Sequence, residues 1–206
     1  MHTLRIIVIN AHPAEGEPDE ATQAQAERGR ALRIGLLRAG YDIIASLPAD
    51  LHLPERIAQL QPDMIIIDAE SDARDMLEHV VFATRDERRA IVLFTDDQDR
   101  SSMQVAMNAG VAAYVVAGMQ TERIKPVLEV AMMRFQADQK LRAELSHTRE
   151  QLADRKIIDR AKGLLMARHQ LSEQDAYQKL RSIAMSKNLK LVDVAQRLID
   201  VADLLA

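Results

Sequence analysis

Between Arg155 and Lys190 the chain carries nine basic residues against three acidic ones, Asp159, Glu173 and Asp175, although its formal net charge is −4. The local net charge is +6, so the remainder of the chain carries −10. A basic stretch on an acidic carrier suits a protein that meets a polyanion, because cations are gathered where contact is made. Tyr177 and Arg181, four residues apart, are neighbours on a helix and set an aromatic ring beside a guanidinium. A second group lies earlier: Asp68 and Thr95 end two apolar runs, and Asp96, Asp97 and Asp99 follow Thr95. These three acids read as loop and helix-capping residues. No cysteine is present, which excludes disulfides and thiol chemistry. No metal-ligand cluster, nucleophile–base pair or phosphate-cradling glycine loop stands out, so the expectation is a binder without cofactor or metal, not an enzyme.

Elements must hold these residues in place. A chain of 206 residues suffices for one large domain or two small ones, and its character changes near residue 120. Upstream, Ile6 to Ile9, Met64 to Ile67, Ala90 to Phe94 and Ala112 to Val116 are short apolar runs, joined by a weaker one, Asp42 to Ser46. Such runs suit parallel strands buried on both faces. Helical patterns stand among them, two ending at Gly40 and Gly110, where a C-cap belongs. Strand–helix alternation predicts an α/β flavodoxin-like sheet over residues 1–122, with its chemistry at the carboxyl ends of the strands.

Downstream the periodicity is helical. Residues 123–150 read as a connecting helix, and from it into the first turn beyond, Leu141, Leu145, Thr148 and Leu152 follow a 4-3-4 spacing, the seam of a short coiled coil and of a homodimer contact. Residues 151–206 read as a three-helix bundle. Ile157, Ile158, Ala161, Leu164 and Leu165 share one face of the first helix, Ser172 caps the second, Asn188 ends it, and Val194, Ala195, Leu198 and Ile199 line the third. The start of the chain lacks the pattern of a signal peptide, and no apolar run nears the roughly 20 residues that span a membrane, so a cytoplasmic location is expected.

Residues 1 to about 125 resemble the receiver domain of two-component response regulators. Asp68 and Thr95 match that family's phosphoacceptor and hydroxyl positions. The acidic pair that holds magnesium is replaced by Asn10 and Ala11, and the lysine position falls on Ala117. Mg²⁺ is held mainly by carboxylate oxygens, and charge on a transferred phosphoryl group needs neutralising. The resemblance therefore implies a pseudo-receiver in which Asp68 is phosphoacceptor-like but not used.

The last domain resembles the ANTAR family of RNA-binding output modules. The resemblance rests on Arg155-x-x-Ile158-x-x-Ala161-Lys162-Gly163-x-Leu165-Met166, then Glu173-x-x-Ala176-Tyr177-x-x-Leu180-Arg181, then Met185-Ser186 and Val194-Ala195. With the receiver-like front, and with Phe94-Thr95-Asp96 and Ala113-Tyr114-Val115-Val116, the chain is most similar to the nitrate/nitrite-responsive NasT branch. This implies transcription antitermination through leader RNA hairpins, and as partner a NasS-like nitrate/nitrite sensor protein. RNA loops are read by bases stacked on aromatic or guanidinium planes and by cations on phosphates. Tyr177 and Arg181 suit stacking and phosphate contact, Arg155 and Lys162 further donation, and Ala161 and Gly163 close approach. The alternatives are a DNA-binding response regulator, which would lay a recognition helix in the major groove, and a protein-only signalling adaptor.

Overall fold

The computed structural model describes residues 4–10, 20–48, 50–68, 73–85, 87–116 and 121–204, so Ala11 and Ala117 lie outside the described residues. The chain divides into two compact units, Met1–Asp138 and Gln139–Ala206.

In the first unit, β1 (Arg5–Asn10), β2 (Asp42–Pro48), β3 (Met64–Asp68), β4 (Ala90–Thr95) and β5 (Ala113–Val116) form one parallel sheet in the order β2-β1-β3-β4-β5. This is the expected doubly wound arrangement. β3 and β4 are buried at every residue, which is why they read as unbroken apolar runs. Side chains alternate between two cores. Ile6, Val8, Ile66 and Val92 pack with Leu32 and Leu36 of α1 (Glu20–Arg38). Ile7, Ile9, Ile65 and Ile67 pack with α2 (Leu53–Leu60), α3 (Ala73–Ala83) and α4 (Arg100–Ala109) on the other side. Asp99 caps α4 by accepting from the Ser102 N–H, and Gly110 ends it at φ 102°, a left-handed backbone that favours glycine. α2 was not expected. Its eight residues bury only Leu53 and Ile57, too short a pattern to stand out from a loop.

α5 (Thr121–His169) begins in the first unit and ends in the second. Ile124, Leu128 and Ala131 are buried in the α1-side core, with Met132 and Phe135 packed against it. The first turns of the segment read as a connector thus complete the receiver-like domain. Residues 140–153 are all exposed, Leu141, Leu145 and Leu152 among them, so the heptad-like seam is uncovered in the single chain.

The second unit is the expected bundle. α5 ends at His169, and α6 (Glu173–Lys187) and α7 (Leu191–Leu204) follow. Ala161 and Leu165 pack with Ala176, Leu180, Ala184, Val194, Ala195 and Ile199, with Ile157, Ile158 and Leu164 alongside. The Ser172 hydroxyl accepts from the Asp175 N–H at 3.1 Å, and Asn188 ends α6 at φ 51°. Among the described residues no helix is long and apolar enough to cross a membrane.

Candidate nucleic-acid interface and the strand-end pocket

At the carboxyl ends of the strands, Asp68 is 2% exposed. A carboxylate so buried requires a counter-charge, and Arg28 of α1 supplies it. Its Nε donates to Asp68 Oδ1 at 3.2 Å, and its terminal nitrogen donates to Asp96. α1 comes close enough here that a Cβ on Gly29 would stand 3.2 Å from Asp68 Oδ2, so the glycine makes room for the carboxylate. Thr95 is buried, and its hydroxyl accepts from the Asp97 N–H at 3.2 Å. Asn10 turns to β2, its amide donating to Ser46 Oγ at 2.6 Å. A guanidinium thus sits against Asp68, in a region where a working receiver collects cationic help for phosphate.

The basic stretch builds a different site. Arg155, Asp159 and Lys162 follow one another along α5 at helical i, i+4, i+7 spacing. Asp159 lies 3.9 Å from Arg155 Nε and 2.7 Å from Lys162 Nζ. Lys162 Nζ also donates to Glu173 Oε1 at 2.6 Å, and Glu173 is the first residue of α6. The Lys162 side chain is 14% exposed, the Arg155 side chain 81%. From Glu173, Tyr177 and Arg181 follow at i+4 and i+8, so the three share one strip of α6. Tyr177 is 42% exposed, and Arg181 is exposed. The Lys162–Glu173 bond therefore joins the α5 strip to the head of the α6 strip.

The electrostatics follow from these contacts. The hydrogen bond from Lys162 holds the Asp159 carboxyl below the usual carboxylate range. Hydrogen bonds to Asp159 and Glu173 hold the Lys162 ammonium above the usual lysine range. Both groups are charged across the physiological range, and the ammonium faces two carboxylates.

The remaining expected residues fall in two places. Ala161 is fully buried in the bundle core that also holds Ala176, so its small side chain serves packing and is not on the exposed strip. Gly163 is exposed, and a Cβ there would meet nothing within 4 Å. Sequence reasoning missed Arg28, whose partners lie 40 and 68 residues away with no local spacing to betray them. It also missed Arg160, which donates to both Asp203 oxygens at 2.9 and 3.1 Å and ties α5 to α7. The Asp159–Lys162 pair was visible as an i, i+3 spacing; the Glu173 contact, reached across a turn, was not.

The ANTAR domain model matches residues 146–199. Transcriptional regulatory protein PdtaR of Mycobacterium tuberculosis is 29% identical over 161 residues, which is 78% of either chain. The nitrate regulatory protein of Klebsiella oxytoca is 34% identical over 77 residues, 37% of this chain and 19% of that one. Among solved structures, the signal receiver domain of a modulated diguanylate cyclase from Desulfovibrio desulfuricans G20 superposes with a TM-score of 0.49 at 17% identity, covering 66% of this chain and 99% of the other.

Proposed function

We propose a division of labour within this chain, which carries an ANTAR domain behind a receiver-like domain and is on that account an RNA-binding antitermination regulator. The second unit grips a hairpin in leader RNA and keeps a terminator from forming. The first unit offers a folded, acidic surface to a protein regulator and is not switched by phosphate. The chain acts by binding alone, in the cytoplasm.

The observation that carries the RNA site is the exposed strip on α6, where Tyr177 stands one turn from Arg181 and is linked through Glu173 to the α5 strip of Lys162 and Arg155. A half-exposed tyrosine beside guanidinium groups is what a splayed base stacks on, and Gly163 leaves the α5 backbone open to close approach. Transcripts recovered with the full-length chain from cells should contain paired hairpins upstream of a terminator. Tyr177→Ala should weaken binding to such a hairpin by about 1–3 kcal/mol, and Tyr177→Phe by much less. If Tyr177→Ala keeps its circular dichroism and binds like wild type, the site is wrong.

The pairing of Arg28 with buried Asp68, together with the lost acidic pair, supports an unused phosphoacceptor. Acetyl phosphate with Mg²⁺ should leave the intact mass unchanged. The name of the Klebsiella relative supports nitrate as the regulating signal; in this reading nitrate or nitrite acts through a NasS-like sensor that sequesters the chain until ligand releases it. A co-expressed sensor that forms no complex in ligand-free buffer, or a complex that nitrate does not weaken, would count against this. The uncovered seam of Leu141, Leu145 and Leu152 supports a homodimer through α5, which sedimentation would detect.

A further inference from the structure

Within the RNA-binding reading, Lys162 presents a contradiction. It stands in the middle of the site, yet its ammonium already lies 2.7 Å from Asp159 and 2.6 Å from Glu173. An ammonium between two carboxylates has no surplus charge to offer an arriving phosphate. Its neighbours on the two strips differ. Arg155 is open to solvent and comes no nearer than 3.9 Å to Asp159, and Arg181 is exposed on the far side of Tyr177.

We infer that Lys162 is a positioning residue, the strut by which Asp159 and Glu173 fix the rotation of α6 against α5, and that the phosphate contacts fall to Arg155 and Arg181. The inference rests on the RNA-binding reading and assigns parts within it. The packing beneath explains why a strut is needed. Ala161 and Ala176 are both fully buried in the core of the bundle, and small side chains of this kind interlock little and restrain rotation weakly. Glu173 is well placed to supply the restraint. It occupies the first turn of α6, beside the Ser172 cap, where the helix dipole favours a carboxylate. Holding Glu173 holds its strip, so Tyr177 and Arg181 are set relative to Arg155 through a bond that neither makes itself. The raised basicity of Lys162 keeps the strut charged at neutral pH.

The test uses the full-length chain and a hairpin RNA selected for binding to it from a library with a randomised loop, with affinity measured over a range of salt. Lys162→Met and Glu173→Met, each checked for native helicity, should weaken binding about three- to tenfold, and the double variant should be no weaker than either alone. None of the three should change the slope of log K against log salt, whereas Arg155→Ala and Arg181→Ala should each lower it by roughly 0.7. Lys162→Arg, which still reaches both carboxylates, should bind like wild type. Lys162→Gln repeats the measurement if Lys162→Met loses helicity. The inference is overturned, with RNA binding intact, if the neutral variants at Lys162 lower the slope by the amount expected of a phosphate contact, or if Glu173→Met tightens binding by releasing the ammonium. If wild type binds no RNA from the library in a salt-dependent way, the RNA-binding reading falls and this inference with it.

Discussion

Two ion clusters, one in each unit, have opposite architectures. In the first unit a buried acid, Asp68, is met by the Arg28 guanidinium reaching in from α1. In the second a largely covered base, Lys162, is answered by two exposed carboxylates. The first pair is mostly withdrawn from water, so removing one partner leaves a charge that water cannot easily reach. In the second both carboxylates stand in water and can be resolvated when the bond breaks, so it contributes geometry more than stability. On the proposed reading, the charges around Asp68 therefore serve the fold, and those around Lys162 serve the RNA site.

The largest effect that would break this contrast lies at Arg28. Arg28→Leu should destabilise the first unit by about 2–4 kcal/mol in urea, because Asp68 loses its counter-charge, and Arg28→Leu with Asp68→Leu should recover much of the loss. A change no larger than that of a surface pair would mean that the two clusters do not differ. Next comes packing in the second unit, where Ala161→Leu forces a larger side chain between α5 and its neighbours and should cost about 1–3 kcal/mol. If instead Ala161→Leu folds normally but loses RNA, the residue acts at the surface after all. Gly163→Ala should move stability the other way, by roughly +0.5–1 kcal/mol, since a mid-helix glycine gives way to alanine in open space. It sharpens the contrast if the more stable protein binds RNA less well, because then the glycine serves contact and not fold.

The smallest expected change is with pH. Asp159 titrates below its ordinary value when folded, so its contribution is present above the unfolded pKa and is lost as pH falls through the folded one. Lys162 titrates above its ordinary value, so its contribution is present below the unfolded pKa and is lost as pH rises through the folded one. The strut should therefore be intact across the neutral range and loosen only below about pH 4 or above about pH 10. Amide shifts of Glu173 and Tyr177 that move between pH 5 and 9 would contradict this.

Much of the fold was legible because its signals are local. Runs such as Met64 to Ile67 announce a strand buried on both faces, and Ser172 and Asn188 mark both ends of α6 by their capping chemistry. α2 was illegible because two buried side chains make no period. The first turns of α5 looked like connector because Ile124, Leu128 and Ala131 show helical spacing but not which surface they pack on. The candidate site divided in the same way. Tyr177 and Arg181 could be paired by counting along one helix, whereas Arg28 with Asp68, and Lys162 with Glu173, are pairs that only tertiary structure assembles. Ala161 shows the remaining ambiguity, since a small residue in a motif reads equally well as room for a ligand or room for a neighbouring helix.

The bare stretch of α5 has a kinetic consequence. From residue 140 to 153 every side chain is exposed, so in the single chain these turns are held by bonds such as that from Thr148 Oγ1 to the Glu144 carbonyl and not by burial. Amide protons there should exchange with deuterium well before those of β3 or of the Leu180 core, and a protease should make its first cut there, releasing two fragments that match the two units. If a second copy or a regulator covers the Leu141–Leu145–Leu152 seam, both rates should fall together as protein concentration rises.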